Sequence, residues 1–506
     1  MSDDAFSVLD YTPKNLFASL GNQSCTPPEV ARKSHAKYLA GYLSAVGARS
    51  IIVEPVYVDG DYLDDFASYY VKCFKPYDRF CKRVHFFSER VSREQFLKLV
   101  AKKLPEAEEK RICGSYLGFC VARPLPEAIV GRTVLNTYPH EGRRYYTATR
   151  PYTVNLFGVP LQVDSLAFQE QDTVMAACAT VALWCCFQKT GYLFQSPVPT
   201  PAAITRAANL VADDRRPLPS HGLKIVQICN AIKNVGLEPE VIPVSKTLPL
   251  ASLLYGYLRF GVPVILVLEI KKQGHHAVAL TGYSLRDVVQ GKDEPVGPRK
   301  LLPMVGRRID EFYAHDDQMG PFSKLPIIRP SKDPACPITF SGWKNKGRAN
   351  GYDFLPRAVV IPLYGKIRLT FVDIQKWLSR LTNILRLLGW KDLEWDIYLT
   401  RTNERKEELR ANERSVGQED LVRVLLGQHP RFAWRSLLRV GGMAVLEILA
   451  DATDIERSFP FYEAIWMEDS RRNEMRDILA DPVVKGYLKS EYPRLLSFLL
   501  ERAPRG

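Results

Sequence analysis

Apolar and polar residues along the chain switch between a repeat of two and a repeat of about 3.6, and the switches mark out elements. "SIIVEPVYV", from Ser50, reads as a strand, and "DYLDDFASYYVKCF", from Asp61, as an amphipathic helix. "SREQFLKLVAKKL" predicts a second helix, opened by Ser92 with Gln95 three residues on as a capping box. "YLGFCVARPL", "RRYYTATRP" and "YTVNLFGVPLQV" follow as strands separated by Pro and Gly. The order then reverses, with a helix coming first. Met175 to Phe187 is a run of thirteen apolar or small residues with one Thr, directly after polar "QEQDT". It is too short to span a bilayer, which takes about 20 apolar residues, so it predicts a buried helix. A Pro-rich connection leads to "LKIVQICNAIKNVGLEPEVIPV" as helix, turn and strand, and then to the strands "GVPVILVLEI", "HHAVALTGY" and "EFYAHDD". Residues 284–308 between the last two are polar, with Lys292, Asp293 and Glu294 at the tip, and predict a mobile flap. Beyond 330, "RAVVIPLYGKIRLTF" reads as strand, "FVDIQKWLSRLTNILRLL" as amphipathic helix and "EWDIYLT" as strand. "FAWRSLLRV" and "MAVLEILADA" then flank Gly441 and Gly442 as a hairpin.

The pattern predicts an α+β protein in three parts, residues 1–158, 159–330 and 331–506. A length of 506 residues, 46% hydrophobic and 25% charged, is globular composition for a chain of several domains. No stretch is apolar for long enough to cross a membrane as a helix, and the first 30 residues lack a signal-peptide pattern, so the expectation is a soluble, cytoplasmic protein. The ten cysteines form no C-x-x-C pair, which fits reduced thiols better than a zinc cage or a redox pair. The net charge of +13 raises the question of nucleic acid. From 401 to the end, however, 18 basic residues balance 18 acidic ones, and the excess of 12 over 6 between Lys72 and Arg111 is spread over several elements. That distribution disfavours a nucleic-acid partner.

The chemistry resides in the middle third. A thiol hydrolase needs its Cys at a helix N-terminus, a His as general base, an acid or amide to orient that His, and a second donor for the oxyanion. Cys178 opens the apolar helix, Gln171 precedes it, and His275, His276, Asp316 and Asp317 follow on strands. Neighbouring residues of a strand face opposite ways, so at most one of the two histidines can meet the thiol, and the alternation disfavours a zinc site using both.

In this order the residues resemble papain-fold cysteine peptidases of the bacteriocin-processing type, which remove double-glycine leader peptides, and their stand-alone relatives. "QDTVMAACATVAL" is similar to the family's Gln followed by C-G-x-A-x-L. "GLKIVQICNAIKNVG", "GVPVILVLEI", "HAVALTGY" and "FYAHDD" are similar to the helix and strands that follow there. The resemblance covers about residues 160–325. It implies a papain-like domain flanked by two α+β domains, with Cys178 as nucleophile, His276 as base, Asp316 as orienting acid and Gln171 as oxyanion donor, acting on a peptide or protein substrate with no cofactor and no metal. The Cys178 sulfur should then lie within about 4 Å of one His276 nitrogen, with Asp316 at the other. Three features depart from the family: Gln171 stands seven residues before Cys178, one more than usual; Ala179 replaces a Gly; and Asp317 replaces a Pro. If Gln171 faces away, Gln169 is the next donor.

Other readings stand beside these. Cys185 and Cys186 read as buried small hydrophobes, and His315 as a surface or supporting residue. The whole domain has an alternative as a degenerate peptide-binding or sensor module. Oligomeric state is left open.

Overall fold

A computed structural model of the chain describes residues 5–172, 174, 177–210, 222–270, 274–286, 302–329, 338–342, 353–387, 389–412, 416–456 and 459–502. They form two compact units. One comprises Met1–Leu248, Gly261–Ser284 and Glu311–Leu363, and the other Pro249–Phe260, Leu285–Asp310 and Tyr364–Gly506. These units cut across the expected division at 158 and 330.

The first unit opens with an antiparallel sheet of β1 (Ser7–Asp10), β2 (Ser50–Tyr57), β3 (Cys81–Phe87), β4 (Tyr116–Ala122) and β5 (Val130–Leu135), in chain order. Three helices in the first 50 residues, Pro13–Leu20, Pro27–Val30 and Ser34–Ala45, were not legible from periodicity. The helix Arg93–Val100 begins at the expected capping box, Ser92 and Gln95 each bonding the other's backbone N–H. Strand β4 is buried at every position because both faces of the sheet are covered. Tyr116, Phe119 and Val121 enter one apolar cluster, and Leu117, Cys120 and Ala122 another. The alternation slips once, where the register with β3 shifts between Phe86 and Phe87, so a bulge at Leu117 turns the rest of β4 over. Gly118 sits there at φ 114°, and a Cβ on it would lie 2.0 Å from the Val134 carbonyl oxygen.

"RRYYTATRP", expected as one strand, contributes the short β6 (Arg144–Tyr145) and, at its end, the first two residues of β7 (Arg150–Leu156). "YTVNLFGVPLQV", also expected as one strand, folds back as β7 and β8 (Val159–Ser165). Phe157 and Gly158 both take positive φ, 49° and 88°, the two-residue turn that matches strand twist. The helix Cys178–Phe194 follows, apolar on all sides and buried along most of its length, as a central helix must be. The Pro-rich connection contains a further helix, Pro201–Ala208, and Ile225–Asn234 is the helix expected before β9 (Leu237–Pro243).

The second sheet is built from β10 (Val264–Ile270), β11 (Gly274–Leu285), β12 (Ile309–Asp316), β13 (Gly320–Ile328), β14 (Thr339–Ser341) and β15 (Asp353–Tyr364). They neighbour one another in that order, and β15 pairs back onto β10, so the six strands close on themselves. Strand β9 adds beside β15, and β6 beside β11. The strand expected to run through "RAVVIPLYGKIRLTF" stops at Tyr364, and its residues complete the sheet that carries the histidines.

The second unit contains the antiparallel sheet β16 (Leu393–Arg401), β17 (Phe432–Val440), β18 (Met443–Asp451) and β19 (Phe461–Trp466), in that order. The expected hairpin turns at Gly441 and Gly442, both with positive φ. Inside it Glu447 accepts from Arg405 and Arg435. Of the segment expected as a flap, residues 287–301 lie outside the described residues. Ser284 and Leu285 end β11, and Leu302, Met304 and Val305 are buried. Among the described residues no helix is long and apolar enough to cross a membrane.

Gly118→Ala forces either φ strain or a backbone clash inside a sheet buried on both faces. We expect a loss of about 3 kcal/mol of stability, read as a lower urea midpoint with an unchanged slope.

Candidate active site

Cys178 is the first residue of its helix, after Ala177 in extended conformation as N-cap. Ala177 offers no side-chain acceptor, so the N–H groups of the first turn are left uncapped by a side chain, as an anion-binding helix start requires. The thiol is half-buried, whereas Cys185 and Cys186, two turns on, are fully enclosed, and burial pushes both of those thiols up. They are core residues, as expected.

Strand β11 places His275 opposite Glu269 and His276 opposite Leu268. The two rings point to opposite faces: His275 is exposed and His276 retains 2% of its surface. His276 Nε2 donates to Asp316 Oδ1 at 3.0 Å, and the Cys178 side chain acts on the same ring, favouring its charged form. With Nε2 turned to the carboxylate, Nδ1 is the nitrogen left for the sulfur. Burial alone would strip the ring of its proton. The Asp316 charge and hydrogen bond, the Cys178 side chain and the Asp317 charge outweigh burial and hold His276 well above the ordinary histidine value.

Asp316 ends β12 and is fixed on both sides of its turn. Gln318 N–H donates to its Oδ1 at 3.0 Å, and Met319 N–H to its carbonyl at 2.9 Å. The β12–β13 register shifts between Ala314 and Asp316, which breaks strict alternation there. Asp317 therefore also faces the ring, its Oδ1 3.7 Å from His276 Nε2. His315, in the shifted stretch, is buried rather than at the surface. It accepts from Phe322 N–H at Nδ1, 3.1 Å, and donates from Nε2 to the Leu166 carbonyl, 2.9 Å, so its ring is neutral, and burial pushes it down to about 4.

The structure brings His276 and Asp316 together, and the Cys178 side chain acts on the same ring. Gln171 is half-buried in the segment leading to the helix, and among the described residues no hydrogen bond holds its amide. Gln169 retains 2% exposure, and its Nε2 has no hydrogen-bond partner among the described residues. A buried amide donor without an acceptor is costly, and it marks Gln169 as the better candidate for a donor awaiting an oxyanion. Sequence reasoning missed His35 and Glu170. His35 Nδ1 lies 2.9 Å from Glu170 Oε1, and its Nε2 2.7 Å from the Asp317 carbonyl. A lone His in a segment without a recognised element carried no signal for this contact.

Among the described residues, His276, Asp316 and Asp317 also form a group of buried donors, all within 4.8 Å of one another, that could hold a metal ion. That use is exclusive of the other: a metal on Nε2 would leave the ring's proton on Nδ1 and remove the base from the thiol. No protein-family model and no curated protein matches the chain.

The histidines separate by environment. His85, with Nε2 on Glu54 and Nδ1 on Tyr116, is pushed down by burial to about 4, like His315. Unfolded, both take up a proton near 6.5. Their contribution to stability is therefore complete above that pH and declines as pH falls toward 4. His35 is raised instead: burial opposes its charge, but Glu170 outweighs it. Its contribution is complete below 6.5 and is lost as pH rises through its folded value. NMR titration of the ring protons should show His35 still protonated where free histidine is half neutral, and His85 and His315 neutral throughout that range.

Proposed function

We propose that the chain is a cysteine peptidase or a closely related thiol-dependent amide hydrolase, with a papain-like arrangement resembling the bacteriocin-processing peptidases over about residues 160–325. The observation that carries the reading is a single buried imidazole that donates to a buried carboxylate and is acted on by the side chain of a cysteine at a helix start. A central helix followed by strands of a sheet closed on itself accords with such a fold.

In the proposed reaction His276 Nδ1 takes the Cys178 proton, and the sulfur attacks the carbonyl carbon of an amide. The carbonyl electrons move to oxygen, where the backbone N–H groups of the first helical turn and the amide of Gln169 or Gln171 receive the charge. His276 returns the proton to the leaving nitrogen as the C–N bond breaks, giving an amine and a thioester on Cys178. A water, deprotonated by the same nitrogen, then attacks the thioester, releasing the acid and restoring the thiol. Asp316 keeps the ring oriented and supports its positive charge throughout. The substrate class is a peptide or protein. Scattered free cysteines accord with a reducing, cytoplasmic setting.

Near neutral pH iodoacetamide should modify Cys178 ahead of Cys25, Cys81, Cys120, Cys185 and Cys186, all of which are buried. His276→Ala should slow that labelling by about tenfold or more, because the thiol loses its base. Uniform labelling of the cysteines would sink the reading. On any peptide captured by a Cys178→Ala variant and cleaved by the wild type, Asp316→Asn should lower kcat/KM by about 10²–10⁴.

A further inference from the structure

Resting on the thiol-hydrolase reading, we propose that Asp317 is a positioning residue for the Cys178–His276 pair. It is a second buried carboxylate, on a residue whose backbone carbonyl His35 holds, and its charge beside His276 extends to higher pH the range in which thiol and ring exist as an ion pair.

Asp316 and Asp317 stand differently to the ring. Asp316 makes a hydrogen bond of 3.0 Å, whereas Asp317 Oδ1 lies 3.7 Å from the same nitrogen, too far for one, so Asp317 acts through charge. It retains 1% exposure, and neither carboxylate oxygen has a hydrogen-bond partner among the described residues. A carboxyl so placed is expensive to bury unless opposite charge faces it.

Two imidazoles supply that charge. His276 approaches from β11. From the helix Ser34–Ala45 comes His35, whose two nitrogens meet only acceptors, Glu170 Oε1 and the Asp317 carbonyl oxygen. Both nitrogens must donate, so His35 is a cation, and burial is offset by the Glu170 charge. Two other groups face Asp317: Asp316 from its own segment, and Cys185 from the Cys178 helix, a thiol that burial keeps neutral. Glu170 acts on it through His35, and Cys178 through His276.

The sign follows from these neighbours. Burial, with Asp316 adding to it, holds Asp317 above the ordinary carboxylate range, while His276 and His35 pull it back. Once ionised, it is a negative charge beside His276, and the ring keeps its proton to higher pH. Asp317→Asn removes the charge at every pH while keeping the shape. Glu170→Gln releases the proton from His35, which makes Asp317 harder to ionise and acts in the same direction with smaller effect.

The test is the pH dependence of Cys178 alkylation by iodoacetamide in the full-length protein, with circular dichroism as a check on folding. Wild type should show two transitions, an acidic one where the ion pair forms and an alkaline one where the ring loses its proton. In Asp317→Asn the alkaline transition should move down by about one pH unit, with the acidic plateau still present. Should that variant fail to fold, Glu170→Gln carries the test, with a smaller downward movement. Two transitions in wild type, with the alkaline one unmoved in the folded variant, overturn the role of Asp317 and leave the hydrolase reading standing. A single ordinary thiol transition in wild type overturns the hydrolase reading itself.

Discussion

An imidazole buried to 2% exposure keeps a proton only where negative charge faces it, and the arrangement around His276 meets that condition. Two carboxylates face the ring, one bonded and one acting at a distance, and the Cys178 side chain acts on it as well. None of these groups would be chosen for stability, since apolar residues of similar volume could fill the space at no desolvation cost. Charges buried in this way, beside a half-buried thiol at a helix start, accord with a site that moves a proton.

The geometry depends on three backbone features. The start of the Cys178–Phe194 helix sets the thiol, with a fully packed helix body behind it. Two-residue alternation on β11 selects His276 over His275. The register shift at the end of β12 then turns consecutive aspartates toward one ring. The N-terminal residues are part of the same compact unit and reach into the site. His35 grips the Asp317 carbonyl, and Tyr38 donates to the Pro321 carbonyl at 2.7 Å, on the strand after the aspartate turn. Gly320 opens that strand because a Cβ there would lie 2.2 Å from the Tyr38 ring. The helix Ser34–Ala45 therefore packs against the aspartate turn.

Legibility in the sequence followed the strength of local signals. The Ser92–Gln95 cap, the Gly441–Gly442 hairpin, the amphipathic Phe371–Leu387 helix and the apolar helix at Cys178 each carry their pattern within a few residues, and each formed as read. Positions decided by distant partners were not legible. Strand β15 belongs with β10 through pairing across 90 residues or so of chain, and the Phe157–Gly158 turn hides in an unbroken apolar alternation. At the site, residue types and order pointed to Cys178, His276 and Asp316. The roles of Asp317, His35 and the unbonded Gln169 amide depend on a bulge and on burial, which no spacing rule reports.

The central claim is that the His276 ring answers to the thiol on one side and to carboxylates on the other. The most direct measurement is of the nitrogen NMR resonances of that ring at neutral pH, before and after Cys178 is capped as a methyl disulfide. The ring should be doubly protonated in the free protein, and its resonances should shift once the cap alters the sulfur beside it. A ring that is neutral from the start, or one whose resonances ignore the cap, would contradict the claim.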